Sequence, residues 1–181
     1  LTGTSIVGID TATAGSRHIV HMAGAGFDAA IMRDTPAWLK RRIGSTAYVV
    51  GALRNVGAPA FPVSITIDGA THESEVRVVL IAIGGSIMRP RYQLGQGIDR
   101  TDGVLDILTF NPPHALGIMT TTWWIAVGKA HRARWRQHLL GKHVRLESSE
   151  SVLTEIDGDV YEHLPLEVQI NPYRTHIVVP D

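Results

Sequence analysis

The sequence predicts a mainly β domain, antiparallel and sandwich-like, with two helical insertions. Short segments rich in Ile and Val occur along the chain, and several alternate apolar with polar residues, as half-buried strands do. The Asp-Gly pairs Asp68-Gly69 and Asp157-Gly158 are strong signals of tight hairpin turns. Strands and helices do not alternate as parallel βαβ units require. The 181 residues are 44% hydrophobic, so they suit a single domain over 1–181.

The first half of the chain is predicted to contain strands around one helix. "SIVGID" and "RHIVHMAG" predict strands, and the glycines of "GAGFDA" end the second. "TPAWLKRRIGSTAYVVGALRN" predicts a helix, because Thr35 is a good cap, Pro36 fits the first turn and apolar residues recur at helical spacing. "FPVSITID" and "GATHESEVRVVLIAIGG" predict a hairpin that turns at Asp68-Gly69. The run Val76–Ile83 is apolar on both faces, which predicts a central strand.

The second half begins with a long irregular segment, Gly84–Gly103, whose length predicts a functional or disordered loop. "VLDILTF" predicts a strand. "PPHALGIMTTTWWIAVGKAHRARWRQHLLG" predicts one or two helices that start at the proline pair. The remaining segments, "HVRLES", "SVLTEID", "DVYEHLPLEVQI" and "RTHIVVP", predict strands.

Composition excludes several classes of function. Lys plus Arg and Asp plus Glu both number 17, so no global charge drives nucleic-acid binding. The absence of cysteine excludes disulfides, thiolate zinc sites and cysteine nucleophiles, and is compatible with the cytoplasm. The most apolar stretch, Ala115–Val127, is too short to cross a bilayer. Because the chain starts with Leu1, we expect it to be part of a longer protein.

Familiar catalytic and nucleotide motifs are missing from the sequence. It contains no GxxxxGK[ST] phosphate loop, no strand–GxGxxG–helix unit and no GxSxG nucleophile elbow. Its nine histidines lack metal-ligand spacing, so surface histidines explain them better than a zinc site. Carboxylates are therefore the remaining candidates for catalysis.

The segment Lys129–His138, "KAHRARWRQH", combines four cations with Trp135. It is interpreted either as the solvated face of a helix or as a contact with a membrane surface. In the second case the cations attract anionic lipids and Trp135 lies at the interface. Trp123 and Trp124 are adjacent and cannot share one helix face, so we expect one in the core and the other partly exposed.

Two carboxylates flank Gly158, although a hairpin turn needs only one. This "EIDGDVYE" segment follows "HMAGAGFDAAIM", "LKRRIGSTAYVVGALR" and "IDRTDGVLDIL". The four segments, in this order, resemble the C-terminal domain of the diacylglycerol kinase catalytic family, which includes bacterial lipid kinases and sphingosine kinases. The resemblance extends roughly from Ile19 to Pro180.

The resemblance implies the second half of a two-domain, ATP-dependent lipid kinase. In that family a separate N-terminal domain carries a GGDGT-type motif and binds ATP, and this chain has no such motif. The implied partners are therefore a lipid alcohol and the protein's own N-terminal ATP-binding domain, with Mg²⁺ as cofactor. A cytoplasmic protein with peripheral membrane contact is expected. The lipid and any homo-oligomer stay open, as does the alternative of a non-catalytic lipid-binding β domain.

The resemblance also implies roles for individual residues. The family's DGE turn supplies a proton acceptor, and its Glu corresponds here to Asp159, which is one methylene shorter. Asp157 matches the family's Asp and is expected to assist catalysis or hold a metal. Asp28, in the GFDA segment, is expected either to shape the acceptor site or to be a structural turn residue.

"DRTDG" resembles the family's loop that helps to hold a structural Mg²⁺. The implied ligands are Asp99, Asp102 and the backbone carbonyl of Val104, and oxygen ligands of this kind suit Mg²⁺. The alternative interpretation is a capped loop that leads into a strand.

Overall fold

The computed structural model describes residues 4–34, 57–85, 97–126 and 129–180. Within these residues two six-stranded sheets form a sandwich, and all pairings of neighbouring strands are antiparallel. The predicted mainly β, antiparallel sandwich is confirmed. Its strands are β1 (Thr4–Ala14), β2 (Arg17–Ile19), β3 (Met22–Gly26), β4 (Phe61–Ile67), β5 (Ala70–Val76), β6 (Val78–Ala82), β7 (Leu105–Phe110), β8 (Arg136–Gly141), β9 (His143–Glu147), β10 (Leu153–Ile156), β11 (Asp159–His163) and β12 (Leu166–Pro180).

The first sheet has the strand order β2-β1-β12-β9-β4-β5, and the second has the order β11-β10-β3-β6-β7-β8. The described helices are α1 (Phe27–Asp34) and α2 (Ala115–Ala126), followed by a 3-10 turn at Ala130–Arg132. The helix predicted from Thr35 onward lies outside the described residues. None of the described helices is both long and apolar enough to span a membrane.

The core lies between the sheets. In β4 the inward residues Val63, Ile65 and Ile67 are buried, and the residues between them are more exposed, as the alternating pattern predicts. The facing sheet contributes Ile81 and Ile107 to the same apolar cluster. A smaller cluster covers part of the outer face of the second sheet and includes Leu80, Leu108 and Phe110.

The segment after the Asp68-Gly69 turn forms two strands in different sheets, whereas the sequence predicted one arm. β5 pairs with β4 in the first sheet, and β6 is central in the second. Arg77 stands between them, with its N–H bonded to the Phe110 carbonyl at 2.9 Å and its carbonyl accepting the Phe27 N–H at 2.9 Å. Its guanidinium donates to the carbonyls of Pro112 and Ala58. These long-range partners fix the break, so local pattern could not reveal it.

The prediction of helix through residues 129–141 is wrong. α2 ends at Ala126, the Lys129 N–H bonds the Trp124 carbonyl at 2.7 Å, and Arg136–Gly141 is strand β8. β8 is the edge strand of the second sheet and pairs with β7, so tertiary pairing overrides the helical propensity of this segment. Conversely, α1 begins within the "GAGFDA" segment, where the sequence predicted only the end of a strand.

We expect the chain to unfold cooperatively, and Ile107→Ala to lower its free energy of unfolding by about 2–5 kcal/mol. Ile107 is 0% exposed between the sheets, so truncation leaves a cavity. The matched control is Ile6→Ala, where the side chain is 71% exposed; the change should stay within about 0.5 kcal/mol. Urea denaturation measures both, and equal losses at the two positions would contradict the assigned core.

Candidate active site

The β10–β11 hairpin turns through two consecutive residues in the left-handed region. Asp157 has a φ of 52° and Gly158 a φ of 87°. Asp and Gly are residues that adopt this conformation at low cost, which explains the Asp-Gly pair. The turn predicted from sequence is therefore confirmed, and it places Asp159 at the first position of β11.

Asp157 ties the hairpin to the start of β3. Its Oδ2 accepts the Val20 N–H at 2.9 Å, and its Oδ1 accepts the N–H groups of His21 at 2.9 Å and Met22 at 3.1 Å. The Asp157 N–H in turn bonds the Met22 carbonyl at 2.9 Å. Both carboxylate oxygens are thus engaged with backbone donors, so this geometry suits a positioning role better than proton transfer.

Glu155 holds the same turn from inside the protein. It is fully buried, and its Oε2 accepts the Gly158 N–H at 2.7 Å. Helix α1 packs against β3, β10 and β11, and so covers this part of the second sheet. Sequence reasoning missed Glu155, because a Glu in a short amphipathic strand gives no sign of being buried.

Asp159 differs from the two carboxylates before it. Its side chain is exposed, and its backbone pairs with Ile156 across the hairpin. Among the hydrogen bonds of the described residues, none involves its carboxylate. Asp157 and Asp159 are thus both exposed, but only the Asp157 carboxylate takes part in the hydrogen bonds that hold the turn. Asp28 lies in α1, close in the fold to this hairpin, but its side chain is outside the described part of the structure.

The predicted metal loop is held by its own side chains. Asp99 Oδ1 accepts the N–H of Thr101 at 3.0 Å and its hydroxyl at 2.7 Å, and Asp102 Oδ1 accepts the Val104 N–H at 3.0 Å. The buried Asp10, which the sequence did not single out, accepts the Gly103 N–H at 2.6 Å. The capped-loop interpretation is thus visible in the geometry.

The donor chemistry of this loop fits Mg²⁺, since Asp99, Asp102 and the Val104 carbonyl offer oxygen ligands. Within the described residues, however, no three or more His, Asp or Glu side chains gather as a metal-binding group. A cation here would therefore need backbone carbonyls or water in addition to the two carboxylates.

His21 links the loop to the hairpin. Burial lowers the pKa of His21; the Asp157 carboxylate opposes that shift, and the positive charge of Arg100 adds to it. Gly84 allows this approach, because a Cβ at that position would lie 2.5 Å from an Arg100 guanidinium nitrogen. The structure thus brings the predicted hairpin and the predicted loop together on one side of the molecule.

Asp106, in the "GVLD" part of the loop segment, is another carboxylate that the sequence did not reveal as buried. Its Oδ1 lies 2.6 Å from His138 Nε2 on the neighbouring strand β8. Burial raises the pKa of Asp106, and His138 opposes the shift. Because Asp106 is buried and its carboxylate is engaged with His138, we assign this pair no contact with substrate.

Comparison with known proteins gives consistent matches over nearly the whole chain. The model of a family described as the YegS C-terminal NAD kinase beta sandwich-like domain matches residues 21–179. "Probable lipid kinase YegS-like" of Shewanella frigidimarina is 24% identical over 178 residues, which cover 95% of this chain and 55% of that protein. "Uncharacterized protein sll0036" of Synechocystis is 26% identical over 180 residues, covering 95% and 41% respectively.

The fold also matches a solved structure, that of a candidate diacylglycerol kinase from Bacillus anthracis str. Sterne. The TM-score is 0.76 at 22% identity, and the match covers 95% of this chain and 56% of that one. This likeness establishes the fold, and it agrees with the resemblance seen in the sequence. The chain spans about half the length of the curated relatives that it matches.

We expect Asp157→Ala to lower the free energy of unfolding by about 1–3 kcal/mol, because three backbone N–H groups lose a charged acceptor. Asp157→Asn should cost less, since Asn keeps an acceptor oxygen and tolerates the positive φ. The matched control is Asp159→Asn, which removes the other carboxylate of the same turn and should leave stability nearly unchanged. Urea denaturation of the three variants decides; equal stability of Asp157→Ala and the parent would refute the positioning role.

His21 should make stability depend on pH. Because its pKa is lowered in the folded state, the unfolded chain binds the proton more readily. Its contribution to stability is present above the ordinary histidine value of about 6.5 and is lost as the pH falls through the folded-state value. In His21→Gln the free energy of unfolding should therefore fall less between about pH 7.5 and pH 5 than in the parent. Parallel pH profiles would contradict this.

Proposed function

We propose, on the premise that this chain belongs to the YegS C-terminal NAD kinase beta sandwich-like domain family, that it is the lipid-acceptor and catalytic-base domain of an ATP-dependent lipid kinase. One observation carries the proposal. The Asp159 carboxylate is exposed, on a turn that hydrogen bonds of Asp157 and Glu155 hold in place. We take its position as that of the family's proton acceptor, as the resemblance in the sequence implies. The name of the Shewanella relative supports a lipid as the acceptor class.

The proposed reaction transfers the γ-phosphoryl group of ATP to a lipid hydroxyl. Asp159 accepts a hydrogen bond from that hydroxyl and orients its oxygen toward the γ-phosphorus. As the new P–O bond forms, the bond to the β-phosphate oxygen breaks and ADP leaves, while the hydroxyl proton passes to the Asp159 carboxylate. In this step the chain supplies positioning and proton acceptance.

The hairpin explains how an Asp could act as the proton acceptor in place of the longer Glu. An Asp must sit roughly 1 Å closer to the hydroxyl than a Glu, and a displacement of that size can change the rate by about 10²-fold. The hydrogen bonds from the Val20–Met22 backbone to Asp157 fix the position of the turn, and so of the Asp159 backbone two residues later. The acceptor must therefore bind close against the turn.

The proposal assigns ATP mainly to an N-terminal domain and Mg²⁺ in part to this chain. Asp99, Asp102 and the Val104 carbonyl would hold the cation, with Asp28 beside the acceptor. When bound, this cation would offset the charge of the two carboxylates and hold the loop in place, the structural role that the resemblance implies. Diacylglycerol is the first acceptor to test, followed by sphingoid bases and isoprenoid or glycolipid alcohols.

A non-catalytic, lipid-binding domain is the second candidate function. The observation that favours it is Asp159 itself, because the family's turn ends in Glu and the shorter side chain loses reach. The two candidates differ in whether a change of the carboxylate alters phosphate transfer.

In the full-length protein, Asp159→Asn should lower kcat for lipid phosphorylation by roughly 10²–10⁴-fold, the range for losing a general base. KM values for lipid and ATP should change little, because the group acts mainly in the transition state. Radiolabel transfer to a panel of lipid alcohols measures this. The control Asp159→Glu restores the family's residue and should keep or raise the rate.

Near-parental kinetics for Asp159→Asn would remove the proton-accepting role from this residue. Lipid binding without any measurable transfer in the parent protein would favour the non-catalytic candidate instead.

A further inference from the structure

Helix α2 exposes an apolar stripe. Leu116, Met119 and Trp123 are 66%, 54% and 63% exposed, and their spacing of three and four residues places them on one helix face. The opposite face is buried through Gly117 and Ile118, the latter packing with Phe27. The helix contains no charged residue. We call Leu116, Met119 and Trp123 the α2 stripe.

The other tryptophans nearby have protein partners, which distinguishes Trp123 from them. Trp135 packs edge-on against His114 with 5.8 Å between ring centroids, and its ring lies close over Gly117. Trp124 is partly buried, with the Arg132 guanidinium 5.5 Å from the centre of its ring. Among the three tryptophans that the structure describes, Trp123, and not the expected Trp135, is therefore the indole most available at the surface.

The sequence around α2 is strongly basic although the whole chain is neutral. Residues 115–138 contain four of the 17 Lys and Arg and none of the 17 Asp and Glu. Lys129, His131, Arg132 and Arg134 follow directly after α2, and all four are exposed. The hydrogen bond from the Lys129 N–H to the Trp124 carbonyl, at 2.7 Å, keeps this basic segment against the end of the helix.

We propose that the α2 stripe and the basic segment after it form a docking surface for a membrane that contains anionic lipids. An uncharged apolar stripe gains free energy by entering the boundary between headgroups and acyl chains, and Trp favours that depth. Adjacent Lys and Arg gain from anionic headgroups. Arg132 and Arg134 can extend their charged ends to the headgroup level while α2 lies deeper.

The same charges argue against other occupants. A second copy of the chain would bring one basic segment toward another, and this segment has no Asp or Glu of its own to offset the repulsion. A nucleic acid would meet the cations but would gain nothing from the apolar stripe. An anionic lipid surface matches both features at once.

The test measures sedimentation of the full-length protein with vesicles and requires no kinase activity, so its outcome is separate from that of the proposed phosphate transfer. One vesicle set is pure phosphatidylcholine, and the other contains about one third phosphatidylglycerol. Binding should favour the anionic vesicles and weaken at high salt. Trp123→Ser should reduce partitioning by about tenfold and Arg134→Ala by roughly fivefold.

The matched control is Ile6→Ser, which removes an exposed apolar side chain on β1, in the other sheet, and should bind like the parent. In addition, anionic vesicles should shift the tryptophan emission of the parent to the blue, and Trp123→Leu, which keeps the stripe apolar, should lose that shift while still binding. Parental partitioning by Trp123→Ser would overturn the proposal, as would equal binding to neutral vesicles. A changed oligomeric state in Trp123→Ser without changed vesicle binding would assign the stripe to a protein contact instead.

Discussion

The structure depends on one apolar layer between the two sheets. Inward residues from both sheets, among them Ile65, Ile81 and Ile107, are nearly inaccessible to water. Since this burial is the main source of stability in such a sandwich, every strand must keep its inward face in register. Arg77 lies where the chain passes from β5 in one sheet to β6 in the other, and its backbone hydrogen bonds to Phe110 and Phe27 hold the start of β6 in register.

The carboxylates of the candidate site, which lies on the second sheet, have different roles. Asp157 holds the turn through the backbone N–H groups of Val20, His21 and Met22, and Glu155 holds it through that of Gly158. Asp159 is left accessible on a support that hardly needs to reorganise. Preorganised placement of this kind is what phosphoryl transfer demands, because the reaction depends on position more than on an unusual nucleophile.

The net charge is also unevenly distributed: the chain as a whole is neutral, but the region around α2 is basic. Residues 115–138 include four Lys and Arg and no Asp or Glu, and they contain the exposed apolar stripe of α2. The net charge of the whole chain therefore does not reveal that its cations are concentrated on one part of the surface. In the proposed function, the docking surface would hold the chain at a membrane and the Asp159 turn would meet the acceptor hydroxyl there.

The sequence by itself determined the fold class, the hairpin at Asp157-Gly158 and the resemblance to lipid kinases, because alternation, turn chemistry and motif order are local properties of the chain. Tertiary structure decided which of two similar carboxylates is engaged, that Glu155 is buried, and that residues 136–141 become strand β8 rather than helix. Each of these depends on residues far away in sequence: on Val20 to Met22 for Asp157, and on the pairing with β7 for β8. Local pattern carries no information about such partners, since they meet only when the two sheets close on their shared core.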